Sequence, residues 1–189
     1  SVAQGVQKLA SFSDRAGAHP SNGRDIGVQI QGDFLKTAAG RNLVHYQVGV
    51  FDGQGINVKD VDQQKNIIGG VWVMPVEGMR LGWFGWTGSY ARKGTWTDAA
   101  GATHSGVRSL QQRRYAFSAE YKVNDWTIRS EYVHSTGNAF AKALSNTDAS
   151  AATDCSLSAD GDKAQGVYAL VIAPIIPKKL HAKARYDMY

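Results

Sequence analysis

Alternation with a period of two dominates this sequence, and it is the signal of strands with unlike faces. In Asp25–Leu35, Ile26, Val28, Ile30 and Phe34 share one parity, and Gly27, Gln29, Gln31 and Asp33 the other. Val44, Tyr46, Val48 and Val50 repeat this against His45, Gln47 and Gly49. Tyr115, Phe117, Ala119, Tyr121 and Val123 alternate with Arg114, Ala116, Ser118, Glu120 and Lys122. Trp126, Ile128 and Tyr132 oppose Thr127, Arg129 and Glu131, and near the end Leu180, Ala182, Ala184, Tyr186 and Met188 oppose His181, Lys183, Arg185 and Asp187. Lys65–Val76, Met79–Ser89 and Gly166–Ile176 are apolar on both parities, so the pattern assigns them no face. The result is an all-β chain of eight candidate strands. Its 21 glycines beside 5 Trp, 8 Tyr and 6 Phe suit many short strands better than packed helices.

The connections sort by length. Short ones, Lys36–Asn42, Val76–Gly78, Asn124–Asp125 and Pro177–Lys178, follow the odd strands and carry turn residues. Long ones, Asp52–Gln64, Tyr90–Arg108 and Ser135–Gln165, follow the second, fourth and sixth. Tight turns at one end and long loops at the other describe an antiparallel up-and-down transmembrane barrel. Strands of about ten to twelve residues match the ~9–11 that cross a bilayer when tilted. Aromatics gather at strand ends in the manner of interfacial girdles: Trp126, Trp83 and Tyr46 toward the short turns, Phe51, Trp86 and Tyr90 toward the long loops. A soluble barrel or sandwich would place the apolar parity inward instead. No run of about 18 apolar residues offers a transmembrane helix.

Residues 1–24 break the alternation. Val2, Val6, Leu9 and Phe12 suggest a short amphipathic helix ended by Gly17 and Pro20, in a segment at the long-loop end. Ser1–Ala10 lacks a signal-peptide apolar core, which leaves a processed start or an internal piece of something longer. Residues 25–189 supply the wall strands. The single cysteine, Cys155, in a small polar neighbourhood, excludes an intrachain disulfide. His45, His104 and His134 have no metal-ligand spacing, and neither a metal nor a cofactor is implied.

Arg24-Asp25-Ile26-Gly27-Val28-Gln29-Ile30-Gln31-Gly32-Asp33-Phe34 and Tyr46-Gln47-Val48-Gly49-Val50-Phe51-Asp52-Gly53 resemble paired strand signatures of the phosphate-selective porin O and P family. Pro75 with Arg80-Leu81-Gly82, Arg129-Ser130-Glu131-Tyr132 and Ala184-Arg185-Tyr186-Asp187 are similar to its later strands, in the same order. The resemblance implies a sixteen-stranded barrel of which this chain is about half. It also implies a homotrimer in the outer membrane of a Gram-negative bacterium, among lipid and lipopolysaccharide, passing small anions such as phosphate. Where many relatives carry an arginine before the third strand's apolar run, this chain has Gly69-Gly70, so the family's constriction arginines are not carried over.

If the apolar parity meets lipid, the other lines water. Its candidate pore-lining residues are Arg80, Arg114, Lys122, Arg129, His181, Lys183 and Arg185, against Asp33, Glu120, Glu131 and Asp187. A cationic excess in a confined aqueous path concentrates anions. Pairing across strands, such as Glu131 with Arg114 or Lys122, would instead stiffen the wall. Arg113 and Arg114 must point to opposite faces, and Arg92, Lys93 and Arg108 are expected to face solvent or lipopolysaccharide. No GxSxG, HExxH or phosphate loop supports an enzyme, and Ser130 and His134 share the apolar parity. The cations are spread round a wall rather than clustered on a stacking platform, which argues against nucleic acid. The remaining alternative is a non-conducting scaffold barrel that assembles with other envelope proteins.

Overall fold

The computed structural model describes residues 25–53, 59–98, 100–138 and 163–188. The amphipathic stretch at Val2–Phe12 and Cys155 lie outside them, as does the Tyr90 side chain. The described residues form one antiparallel sheet in sequence order: β1 (Gly27–Lys36), β2 (Asn42–Phe51), β3 (Asn66–Val73), β4 (Met79–Thr97), β5 (Thr103–Val123), β6 (Trp126–Gly137), β7 (Lys163–Ile176) and β8 (Leu180–Met188). Every strand pairs with its chain neighbour, and the sheet stays open at β1 and β8.

Turn chemistry fixes this order. Asn124 and Asp125 both take positive φ (46° and 65°), as a two-residue type I′ hairpin turn requires, and so set Val123 opposite Trp126. Gly78 (φ 78°) closes the β3–β4 turn; its carbonyl accepts from Lys122 N at 2.9 Å, and an added Cβ would meet the Lys122 carbonyl. Arg41 ties two turns together, its Nη1 donating to the Met74 carbonyl at 2.5 Å and its Nη2 to that of Pro75 at 3.3 Å. Pro174, which has no N–H to give the ladder, sits where the β7–β8 register shifts.

The expected loop at Tyr90–Arg108 is a correction. β4 and β5 continue through it as a paired ribbon, from Ser89 opposite Gln111 to Thr97 opposite Thr103, closed by a tight turn at Asp98–Ala102. The ladder to β3 stops at Thr87 and that to β6 starts at Gln112, so the ribbon projects without strand neighbours, by about 30 Å at ~3.4 Å per residue. Its alternation is hidden in the sequence because most of its outward residues are Ser, Thr, Lys and Gly, which also make loops. Isolated two-stranded ribbons are marginal. This one is buttressed by the β2–β3 connection: Asp62 Oδ2 accepts from Ser109 Oγ at 2.8 Å and from Ser89 Oγ at 3.2 Å, and Gln64 Oε1 accepts from Gln111 Nε2. Asn66, 3% exposed, accepts from Ser89 N at 2.8 Å beneath it.

The sheet's two faces are unlike. Register places Gly32, Tyr46, Val71, Trp83, Phe117, Tyr132, Val167 and Met188 in one row across all eight strands. One residue along each strand, the opposite face carries Asp33, His45, Trp72, Gly82, Ser118, Glu131, Tyr168 and Asp187. The Phe117 face is apolar yet open: Val28 is 74% exposed, Ile30 64% and Phe117 50%. The Glu120 face is polar, covered at Arg114 (7% exposed) and Glu131 (2%) and exposed at Arg80, Lys122 and along β8. This reverses the ordinary arrangement in water, where the apolar face is the buried one.

The faces that the sequence left open now resolve. Ile67, Gly69, Val71 and Val73 of β3 share the Phe117 face, and Ile68, Gly70 and Trp72 the other. Leu81, Trp83 and Gly85 of β4 oppose Gly82, Phe84 and Trp86, while Val167, Ala169 and Val171 of β7 oppose Tyr168 and Leu170. The densest packing, Trp72, Phe84, Ala116 and Val133, therefore lies on the Glu120 face, where the sequence suggested a purely wet wall. Two of the expected girdle aromatics move with it, since Phe51 and Trp86 fall on this same face. The aromatics of the Phe117 face toward the long connections are instead Tyr115 and Tyr132, with His134 stacked 5.0 Å from Tyr115.

Candidate functional site

All seven candidate pore-lining residues share the Glu120 face. Arg80, Glu120, Arg129, Leu170 and Arg185 are register partners in a line across β4 to β8. Lys122, Thr127, Ile172 and Lys183 form the next line toward the turns, and His181 opposite Pro174 lies beyond. Arg114 sits at the other end, in line with Ile68, Trp86, Ser135 and Ala164. Arg113 points to the opposite face and is exposed, as strand geometry demands.

Pairing is selective. Glu120, not Glu131, is the shared acceptor: Arg129 Nε donates to its Oε2 at 2.7 Å, and Lys122 Nζ lies 3.0 Å from its Oε1. Arg185 Nε donates to Asp187 Oδ2 at 2.6 Å, and Asp33 meets His45 Nδ1 at 2.8 Å. The expected pairing of Glu131 with Arg114 or Lys122 is not formed, because the two-residue turn places Glu131 opposite Ser118. Among the described residues of β3 to β8 outside the ribbon, this face keeps Arg80, Arg114 and Lys183 without a carboxylate within ion-pair distance and Glu131 without a cation.

Aromatic rings back the arginines, a feature the period-two reading did not register. The guanidinium of Arg80 lies 4.6 Å from the Trp72 ring, that of Arg114 5.0 Å from Trp86, and that of Arg185 4.5 Å from Tyr168. Stacking holds a charged group against a wall while its edge donors stay directed along it. The rings themselves need room, which glycine supplies. A Cβ at Gly70 would stand 2.2 Å from Phe84, one at Gly82 2.8 Å from Trp72, and one at Gly49 2.6 Å from Phe51. Rings thus cover Gly49, Gly70 and Gly82 on this face.

On the projecting ribbon, Arg92 and Arg108 are opposite each other on the Glu120 side. Arg92 is 4% exposed, so it does not face solvent as the sequence suggested, and Arg108 stacks on Trp96 at 5.7 Å. His104 Nε2 lies 2.8 Å from Asp98 at the tip, and this contact holds the Asp98 carboxyl below its usual range. In the buttressing connection, Asp60 is lowered chiefly by its hydrogen bond from Lys65, and Lys65 is raised by Asp60 and then by Asp52. Among the described residues no cluster of His, Cys, Asp and Glu could hold a metal ion. No family model matches this chain, and neither a curated protein nor a solved structure gives a significant match.

Proposed function

We propose that this chain forms part of the wall of an outer-membrane porin of the phosphate-selective porin O and P type, a water-filled path with anion preference. The observation that carries the reading is the unlike pair of faces: an apolar row from Gly32 through Phe117 to Met188, open at Tyr46, Trp83, Phe117 and Met188, backed one residue away by the face that bears the charges. Leaving eight strands of apolar surface toward water has no stabilising counterpart, whereas the same surface against acyl chains does. The Glu120 face then borders the lumen, and its unneutralised Arg80, Arg114 and Lys183 favour anions there. The open edges at β1 and β8 support a larger barrel, closed by further strands, since a single-layer sheet in lipid leaves no ladder unpaired. Association as a trimer among lipid and lipopolysaccharide belongs to the same reading.

Reversal potentials of the assembled protein in a planar bilayer under a KCl gradient test it. Anion preference is expected, falling as salt screens the wall. Cation preference rejects the selectivity. A second reading, a non-conducting scaffold barrel, draws on the dry Trp72–Phe84–Ala116–Val133 cluster on the lumen side. It predicts no channels at all in the same bilayer.

A further inference from the structure

Cations on the Phe117 face stand at a defined height. Arg113, Thr136 and Lys163 are register partners across β5, β6 and β7 on that face. Arg113 and Lys163 are both exposed, and two strand spacings set them about 10 Å apart. Among the described residues Arg113 has no carboxylate within ion-pair distance. The strands' own carboxylates, Asp33, Glu120, Glu131 and Asp187, all lie on the other face. The next row toward the short turns is Tyr115, His134 and Gln165, where Tyr132 Oη donates to Gln165 Oε1 at 3.2 Å. From there to Val123 and Trp126, β4 to β7 carry no Asp, Glu, Lys or Arg on this face. Val123 lies ten residues on from Arg113, about 34 Å along the strand and about 26 Å in height at a tilt of ~40°. An apolar band of a membrane barrel is ~25 Å tall, so Arg113 and Lys163 stand where headgroups begin.

We propose that Arg113 and Lys163 hold the phosphate of an anionic lipid in the leaflet at the long-connection end, its acyl chains lying over Tyr115, Phe117 and Val167. The arginine fork matches phosphate oxygens, and the lysine adds a point charge from two strands away. Both side chains have long apolar stems, which cover the rows below while the charged heads stay at headgroup level. The chains lie on surface that is already open, with Phe117 50% and Tyr115 38% exposed. Free phosphate would meet the same cations but gain nothing from the apolar rows beneath them, so the occupant is a lipid. The site rests on the reading of the Phe117 face as the lipid side.

The test places the full chain, in its membrane assembly, in bilayers of brominated phosphatidylcholine, whose chains quench tryptophans they touch. Trp83 is exposed beside Phe117, and its share of the signal follows by difference from Trp83→Phe. Unlabelled phosphatidylglycerol is expected to relieve the quenching about fivefold more effectively than unlabelled phosphatidylcholine, the scale of one basic residue at an anionic surface. Arg113→Gln and Lys163→Gln are each expected to lower that preference about twofold or more, and the two together to abolish it. Lys59→Gln, which removes the same charge from the β2–β3 connection, is expected to leave it unchanged. Absence of any preference, or an equal loss from Lys59→Gln and Arg113→Gln, overturns the site. Inorganic phosphate at the same concentration is expected not to compete, and competition by it would assign the cations to a free anion and overturn the lipid. The lipid-side reading fails separately: Trp83 untouched by brominated chains rejects it and the site together, whereas relief equal for both lipids rejects the site alone.

Discussion

Arg129 Nε donates to Glu120 Oε2 at 2.7 Å across the β5–β6 ladder, and Lys122 approaches the other oxygen of the same carboxylate at 3.0 Å. One carboxylate thus holds two cations on a wall that already carries Arg80, Arg114 and Lys183 without ion pairs. Glu120→Gln releases both partners and adds one positive charge to the path. Anion over cation permeability is expected to rise, and the rise should shrink at high salt. Arg129→Glu combined with Arg185→Glu should move the reversal potential toward cations. Reversal potentials indifferent to both changes would show that this face does not border the ion path.

The glycines beneath the rings give a stability prediction with an internal control. Phe84 is 2% exposed and covers Gly70, where an added Cβ would stand 2.2 Å from the ring. Gly70→Ala forces that ring off its seat and should cost about 1–3 kcal/mol, the usual penalty of overpacking. At Gly85, on the opposite face, an added Cβ would meet nothing within 4 Å, so Gly85→Ala should change stability little. Urea titration of the protein in detergent micelles compares the two. Equal losses would mean that strand propensity, not ring seating, sets the cost.

How much of this was legible depended on how differently the two faces of each strand are built. β1, β2, β5, β6 and β8 alternate cleanly, so their faces follow from parity alone. β3, β4 and β7 carry apolar residues on both faces, as Ile67 beside Ile68 and Trp83 beside Phe84, because the Glu120 face has its own dry cluster there. Parity also fixes a face without fixing a partner. The pairing of Glu120 with Arg129 follows only once the Asn124–Asp125 turn is counted as two residues, which sets Val123 against Trp126. That count was available in the sequence. The stacking of Arg80, Arg114 and Arg185 on rings was not, since it depends on three register pairings at once.

The buttress of the ribbon is expected to be pH-sensitive at both extremes. Asp60 has its carboxyl lowered by Lys65, so its contribution is complete above the ordinary carboxylate range of ~4 and is lost as pH falls through the lowered value. Lys65 is raised, so its contribution is complete below the ordinary lysine value of ~10.4 and is lost as pH climbs through the raised one. Amide exchange at Asp60–Lys65 should be slow relative to the intrinsic rate between these limits and approach it outside them. Asp62→Ala, which removes the acceptor of Ser89 and Ser109, should speed tryptic cleavage at Arg92, Lys93 and Arg108. Unchanged cleavage would show that the ribbon stands without its buttress.

A single charge separates an apolar face that meets lipid from one that meets water. Phe117 is 50% exposed in the middle of the open row, between Trp83 on β4 and Tyr132 on β6. On a water-facing surface Phe117→Arg would alter stability by no more than about 0.5 kcal/mol, because the new guanidinium stays hydrated. Against acyl chains the same change should cost about 2–4 kcal/mol near the bilayer midplane and progressively less toward either end. Val50→Arg, at the long-connection end of β2 on the same face, should therefore cost less than Phe117→Arg. Folding equilibria measured in lipid vesicles and in detergent give the comparison. A depth-dependent penalty for arginine on this face identifies lipid as its solvent, and two small, equal effects would reject that assignment.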